Sequence, residues 1–435
     1  MKASYIKKSL LKTINSMSRD IELFVKRPGM DFSRNRKCSF HSILTCILSM
    51  ESHSLNREIR KFFNSIKAPI PTKSAFIQQR DKFNDYVFPY LFSSFNDSAP
   101  FKKTYQGYHL LACDGSDINI PPLNGAVDTY VHSNTKDVGY HQMHLNAMYD
   151  LLEERYSDII IQPRAIYNER EAFLDFIDRN PISGKCVYIA DAGYFSLNVL
   201  AHLLISGQSF VLKMRTPDSQ RAFLKRFTLP DSDELDVRIS FCVTRSRKKS
   251  YMENPDKYIN IKYDRRFDPI APSDTDSLFR ISIRLVKIML PDGKSEYLIT
   301  NLPENKFSLD SLKKLYRMRW GIETSFRYLK YNVALNYFHS IRRDFILQEM
   351  YARVILYNFT MLIVHSVSPP KSKGKLQYKV SVSDAIVTCR DYLIHRFKNA
   401  EIERFILFYL TDVRPGRSSP RKTRSKRFVP LNNRV

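Results

Sequence analysis

This chain is short of negative charge relative to positive. In 435 residues, 44 Asp and Glu face 69 Lys and Arg, leaving a formal net charge of +25. A partner of opposite charge is therefore expected, most simply nucleic acid, whose phosphates a basic surface neutralises with release of counterions. An acidic membrane surface is the competing partner, but no basic helix with a strong apolar face stands out. The six cysteines (Cys38, Cys46, Cys113, Cys186, Cys242 and Cys389) include no CxxC pair, which excludes zinc-ribbon and disulfide-scaffold readings. Cys38, His41, Cys46 and His53 lie close together without a recognised zinc spacing, and reduced, buried thiols of a cytosolic protein fit them better. The N-terminus lacks the apolar core of a signal peptide. The most apolar C-terminal stretch, residues 351–367, is interrupted by Arg353, Asn358 and His365, and so reads as a buried helix and not a membrane span. No internal repeat is evident.

What is present is core material: 43% hydrophobic residues, with 29 Phe and 25 Tyr, over a length sufficient for two or three domains. Residues 1–100 read as a helical, DNA-binding N-terminal domain. Ser54–Phe63 is one helical candidate, and Pro69 and Pro71 then break the chain. Thr72 or Ser74 is placed to cap a second helix over Ala75–Phe83, with Lys73, Arg80 and Lys82 on or beside it. Helix, short turn and basic helix is compatible with a helix-turn-helix that reads DNA, as it is with two ordinary packed helices.

From about residue 105 the pattern changes to strands. Runs at His109–Cys113, His144–Leu152 and Asp158–Ile166 are followed by a helix over Glu169–Arg179. A buried strand over Lys185–Ala190, a helix over Leu197–Ile205 and a strand over Ser209–Met214 come next. Such alternation predicts an α/β fold, a mixed sheet covered by helices. Residues 216–300 break the alternation with β-rich runs (Asp236–Thr244, Tyr258–Tyr263, Leu278–Leu290) and the turn Pro291-Asp292-Gly293, and read as an inserted β subdomain. Residues 101–215 and 301–345 then form the two parts of the catalytic core. A helical region spans 346–412. The stretch 413–435 carries eight basic residues and no acidic one, and reads as a tail without fixed structure until it meets a polyanion.

Within this frame three acids draw together. Asp114 and Asp191 each follow a short apolar run and precede a small turn residue, the place where open α/β sheets offer side chains to ligands. Each alone is also an ordinary turn residue. A later helix, read from Tyr316 to Lys330, puts Tyr316, Arg319, Glu323 and Lys330 within an arc of about 60° at helical spacing. Beside it runs the apolar stripe Leu315, Met318, Ile322, Phe326 and Leu329. Arg319 and Glu323 also suit a simple i,i+4 surface pair. Three converging carboxylates repel one another unless a cation joins them. Hard divalent ions such as Mg²⁺ prefer such oxygen ligands, and two ions about 3.5–4 Å apart can activate a hydroxyl and stabilise the leaving oxygen of a phosphodiester.

Asp114-Gly-Ser, Asp191-Ala-Gly-Tyr and Tyr316-x2-Arg319-x3-Glu323-x6-Lys330 together resemble the DDE transposases of the IS4 family, over residues of about 1–400. The resemblance implies an RNase H-like catalytic core interrupted by a β insertion before the last acid. It implies that Asp114, Asp191 and Glu323 are catalytic and ligate two Mg²⁺ (or Mn²⁺) ions. Tyr316, Arg319 and Lys330 would grip DNA phosphates, with Lys213 and Arg215 as further basic contacts. The implied activity is cut-and-paste transposition: cleavage at terminal inverted repeats, then attack of the freed 3′-OH on target DNA. The implied partners are double-stranded DNA and a second copy of the chain in the synaptic complex, in the nucleoid of a bacterial cytoplasm.

The sequence departs from that family twice. Relatives often carry a basic residue directly after the second Asp, where Ala192 stands here. Some use an inserted-domain Trp to hold a flipped base, whereas the one Trp here is Trp320, in the signature helix; Tyr251 or Tyr258 is a possible substitute. Two rivals remain: a DNA-binding protein that has lost transposition, and a stand-alone endonuclease. His141-x2-His144 suits a metal pair on a helix but precedes a strand, so core or surface histidines fit better. Asn168-Glu169-Arg170-Glu171 suits helix capping, where acids complement the dipole.

Overall fold

A computed structural model of the chain describes residues 2–34, 36–132, 139–219, 222–290, 293–370 and 377–413. The basic tail from Arg414 onward, and part of the turn at Pro291-Asp292, lie outside the described residues. The chain opens with helices α1 (Ala3–Arg19), α2 (Phe40–Ser49), α3 (Leu55–Ser65), α4 (Lys73–Arg80) and α5 (Val87–Ser98). Their starts are chemically marked: Ser39 accepts from the amide of Ser42 at α2, and Thr72 accepts from that of Ala75 at α4. In α1 the residues Ala3, Ile6, Leu10, Ile14 and Met17 recur at three- and four-residue intervals and are all buried.

The basic helix α4 is only eight residues long and turns Phe76, Gln79 and Arg80 inward. Arg80 is 1% exposed and donates to Gln348, Glu349 and the carbonyl of Phe345. Of the three cations expected along this helix, Arg80 is therefore part of the core and not available to DNA. Lys82 stands 3.9 Å from Asp31.

A mixed sheet flanked by helices follows. Its elements are β1 (His109–Ile120), β2 (Tyr130–Val131), β3 (Tyr140–Asp150), β4 (Arg155–Pro163), α6 (Glu169–Arg179), β5 (Cys186–Ala190), α7 (Leu197–Ile205) and β6 (Ser209–Met214). Then come β7 (Leu235–Thr244), α8 (Lys249–Met252), β8 (Tyr258–Asn260), β9 (Leu278–Met289) and β10 (Ser295–Thr300). Among the described residues ten strands form one sheet, ordered β2-β3-β1-β5-β6-β10-β9-β7-β8, with β4 also paired to β3. β1, β5 and β6 are mutually parallel, while β3 and β10 flank them antiparallel. The β-rich residues 216–300 extend this same sheet, because β10 pairs with both β6 and β9.

The remaining helices are α9 (Leu309–Met318), α10 (Trp320–Arg327), α11 (Arg343–Val364), α12 (Val382–Leu393) and α13 (Ile402–Phe408); β11 (Gln377–Val380) and β12 (Leu410–Val413) pair antiparallel across α12 and α13. No helix among the described residues is long and apolar enough to cross a membrane. α11 is buried along nearly its whole length and packs on α1, α2, α5, α12 and β4.

Strand side chains alternate between faces, and here each face has its own core. Leu110, Ala112, Ile118, Val187 and Ile189 pack with the N-terminal helices and with α9–α12. Leu111, Cys113, Tyr188 and Ala190 pack with α6 and α7. The site residues inherit their directions from this parity.

Candidate functional site

Parallel pairing of β1 with β5 runs from His109 opposite Cys186 to Cys113 opposite Ala190. Asp114 and Asp191 are the next residues on the two adjacent strands. Cys113 and Ala190 both face the α6–α7 core, so their successors turn to the opposite face, where α10 crosses β1. One expectation is corrected here. Asp114 does not end its strand: β1 continues to Ile120 against β3, and only its pairing with β5 stops. The two aspartates still emerge level with each other, because β5 ends where Asp191 begins.

The expected single helix from Tyr316 to Lys330 consists of α9, α10 and a π-helical turn over Tyr328–Asn332. Arg319, at the junction, keeps helical angles (φ −48°, ψ −33°), so α10 continues α9. Leu315, Ile322, Phe326 and Leu329 are buried as their spacing predicts, whereas Met318 is 36% exposed.

The polar stripe meets the aspartates. One terminal nitrogen of Arg319 lies 3.0 Å from Glu323 Oε1 and the other 3.7 Å from Asp114 Oδ2. The Tyr316 hydroxyl donates to Asp191 Oδ1 at 3.3 Å. Arg319 is buried, its Nε has no partner, and its guanidinium lies 5.2 Å from the Trp320 ring. Burial works against its charge, but Tyr316, Asp114, Glu323 and Asp191 hold its pKa above the ordinary value. Burial pushes the Asp114 carboxyl up to about 6; the Gly115 amide and Arg319 oppose the rise, and Glu323 and Glu169 add to it. Burial likewise raises the Tyr316 phenol, which stays a hydrogen-bond donor.

Lys330 lies within the π turn, where the regular helical spacing is interrupted. Burial lowers its pKa, and the carboxylate that opposes this is Asp117. Lys213, on β6, is 2.8 Å from Glu296 of β10 and 5.9 Å from the Tyr316 ring, so it is already paired within the sheet. Arg215, just beyond β6, is exposed. Tyr251 and Tyr258 stack on each other with centroids 4.3 Å apart.

A second polar cluster, which the spacing of residues did not announce, lies on the other face of β1. His144 stands opposite Asp117 in the β1–β3 pairing and places Nδ1 2.6 Å from Asp117 Oδ1 and Nε2 3.2 Å from Glu169 Oε1. Arg164 adds a contact of 2.8 Å to Asp117. Burial disfavours protonated His144, but the two carboxylates outweigh it and raise its pKa. Gly115 makes room for this contact: a Cβ there would fall 2.3 Å from His144 Nε2 and 2.8 Å from Glu169 Oε1. The usable signal was strand pairing, since Asp117 and His144 become partners only once the β1–β3 register is known.

The donors at Asp114, Asp191 and Glu323 are carboxylate oxygens, the chemistry that hard divalent ions accept. Burial is what raises the Asp114 carboxyl, so its charged form gains from any cation brought beside it. In the arrangement seen, the cation among them is Arg319, and no three His, Cys, Asp or Glu side chains among the described residues are grouped closely enough to enclose an ion. The donor set fits such an ion in kind, provided Arg319 yields one of its carboxylates.

Comparison with known proteins adds a family. No curated protein matches the chain in sequence. A solved structure of the piggyBac transposase synaptic complex with hairpin DNA aligns over 96% of this chain and 87% of its own, with 13% identity and a TM-score of 0.47, a likeness that bears no weight on residue roles. The sequence pattern described as "Transposase DDE domain" matches residues 105–359, more than half of the chain and the whole span from β1 to the middle of α11. The chain belongs to the transposase DDE domain family.

Proposed function

We propose that this chain is an IS4-type transposase that cuts DNA at terminal inverted repeats and joins the freed 3′-OH to target DNA. The observation that carries the reading is one arginine: the Arg319 guanidinium touches both Asp114 and Glu323, acids 209 residues apart in sequence, while Tyr316 of the same helical stretch holds Asp191. A sheet register that levels two aspartates and a helix that delivers a glutamate to them is a costly arrangement for a purely structural protein.

In this reading the sheet is RNase H-like, residues 216–300 are its insertion, and residues 1–100 and 346–412 are helical flanking regions, the first of them contacting DNA. Asp114, Asp191 and Glu323 would hold two Mg²⁺ or Mn²⁺ ions, which when bound supply Lewis acidity to the scissile phosphate. Arg319 has a choice of partners. Without DNA it neutralises Asp114 and Glu323; a phosphate offers its planar fork a bidentate alternative and frees the carboxylates. Tyr316 orients Asp191 through its hydroxyl. Lys330 and Arg215 extend the cationic surface toward the DNA backbone, and Lys213 joins them if it exchanges Glu296 for phosphate. Two chains would synapse two ends.

The test is divalent-ion-dependent cleavage of DNA bearing the element's own ends. Asp114→Asn, Asp191→Asn and Glu323→Gln should each lower cutting by about 10³-fold or more while leaving DNA binding in place. Cutting that survives in all three variants would refute the site. Binding without cutting by the unaltered chain would identify a DNA-binding protein, and cutting without joining an endonuclease. Affinity should fall with salt at a log–log slope of about 0.9 per phosphate neutralised, and a flat response would contradict the basic-surface reading.

A further inference from the structure

The first turn of α6 carries the series Asn168-Glu169-Arg170-Glu171, whose acids suit the positive end of a helix. The capping itself falls to Asn168, whose side chain accepts from the amides of Arg170 and Glu171. The three residues that follow reach outward, each to a different segment. Glu169 Oε1 stands 3.2 Å from His144 Nε2, and the other ring nitrogen of His144 is held by Asp117. This pair lies against the backbone of Gly115, where a Cβ would come within 2.3 Å of His144 and 2.8 Å of Glu169. Gly115 directly follows Asp114. Arg170 Nε donates at 2.9 Å to the carbonyl of Gly193, in the loop that begins with Asp191. Glu171 pairs with Arg266, from the β-rich residues 216–300.

Two consecutive side chains of one helical turn thus meet the backbone just beyond each of the two aspartates. Neither contact does much for the fold. Arg170 is exposed and Glu169 partly so, and hydrogen bonds of such side chains add little to stability. α6 is anchored independently by buried Phe173, Leu174, Phe176 and Ile177. What the two contacts fix is a distance. Pairing of β1 with β5 stops at Cys113 and Ala190, so no ladder bond between these strands sets the spacing of Asp114 from Asp191. The α6 turn spans that gap from behind. We propose that it is a positioning device for the metal-binding carboxylates: Glu169, oriented by His144, fixes Asp114 through Gly115, and Arg170 fixes Asp191 through Gly193. In this role Glu169 acts by shape and hydrogen bonding and is not a further ligand. Groups that orient metal ligands from behind change metal affinity when removed, by a factor of roughly 10–100. The inference rests on the reading of Asp114 and Asp191 as ligands of divalent ions.

The experiment titrates Mn²⁺ into metal-stripped, full-length protein without DNA and reads free Mn²⁺ by electron paramagnetic resonance. Asp114→Asn and Asp191→Asn define the site, because each should abolish the tightest binding. Glu169→Ala and Arg170→Met should each weaken that binding about tenfold. Glu169→Gln keeps the shape and an oxygen that accepts from His144, and Arg170→Lys keeps a donor, so both should bind within about threefold of the unaltered protein. Urea unfolding of the same samples separates position from stability: Arg170→Met, at an exposed site, should unfold at nearly the unaltered midpoint. If Glu169→Ala fails to fold, Arg170→Met against Arg170→Lys decides alone. Unchanged Mn²⁺ affinity in Glu169→Ala and Arg170→Met, with the aspartate variants still defective, overturns the proposal and leaves the carboxylate site standing. Glu169→Gln as weak as Glu169→Ala would make Glu169 a ligand in its own right, which also overturns it. Mn²⁺ binding indifferent to both aspartates removes the site and the proposal together.

Discussion

Arg80 and Arg319 are both buried and both face carboxylates, yet their surroundings differ in completeness. Arg80 has each of its three nitrogens answered: Nε by Gln348, one terminal nitrogen by Glu349 at 3.0 Å, the other by the Phe345 carbonyl. Glu349 is in turn held by His339 at 3.0 Å, and Glu58 accepts from the amide of His53. That network clamps α4 to α11 and has no capacity left for a ligand. Arg319 has one close carboxylate, one at 3.7 Å, and an unanswered Nε, in a position where Asp114, Glu323 and Asp191 keep part of their exposure. A saturated guanidinium is a fastener; an unsaturated one between acids is able to change partners.

The comparison breaks most visibly on deletion of each arginine. Arg80→Leu leaves Glu349 buried without its cation and should cost about 3–5 kcal/mol in urea unfolding. Arg319→Leu should cost no more than about 1–2 kcal/mol, because partly exposed carboxylates can recover water or a proton, while cutting is lost. Equal losses would erase the distinction. Gly115→Ala, which strikes the His144–Glu169 contact behind Asp114, should cost about 1–3 kcal/mol from overpacking and disturb the site more than the fold.

Acidity sharpens the contrast, since the two clusters respond with opposite signs. Burial raises Asp114 to about 6 from the ordinary 3.8, so the folded state holds this proton more tightly than the unfolded chain does. Its contribution to stability is therefore most favourable below about pH 4 and declines as pH rises to about 6. Asp114→Asn should gain stability relative to the unaltered protein across that window. Glu349 behaves in reverse: burial alone would raise it, but His339 and Arg80 hold it down to about 2, against an ordinary 4.5. Its contribution is complete above pH 4.5 and is lost as pH falls toward 2, a loss that Arg80→Leu should diminish. Unfolding curves from pH 2 to 8 read both effects. The smallest change is expected away from both clusters, where Thr72→Ala removes the cap of α4 for about 1 kcal/mol.

Much of the architecture was readable in advance because local signals agreed. The helices Glu169–Arg179 and Leu197–Ile205 and the strand Ser209–Met214 lie where apolar periodicity and capping placed them. Asp114 was expected at a strand end because its apolar run stops at Cys113; the strand continues because β3 pairs with it as far as Ile120, a contact between distant segments. The role of Arg80 was hidden for the same reason: a cation on a short helix looks solvent-facing until α11 supplies Gln348 and Glu349. The π turn at Tyr328–Asn332, which contains Lys330, carries no mark in the local pattern.

Residue order alone determined the chemistry available to this protein: an excess of cations, two aspartates behind apolar runs, and a Tyr-Arg-Glu-Lys series at helical intervals. Such features depend on neighbours a few positions apart, where backbone geometry leaves little freedom. Tertiary structure decided which charges meet. Strand register levels Asp114 with Asp191, helix docking brings Arg319 between carboxylates, and the first turn of α6 meets His144 and the carbonyl of Gly193. Those partnerships join segments up to two hundred residues apart, and electrostatic energy at contact distance depends on position in space, which sequence separation does not encode.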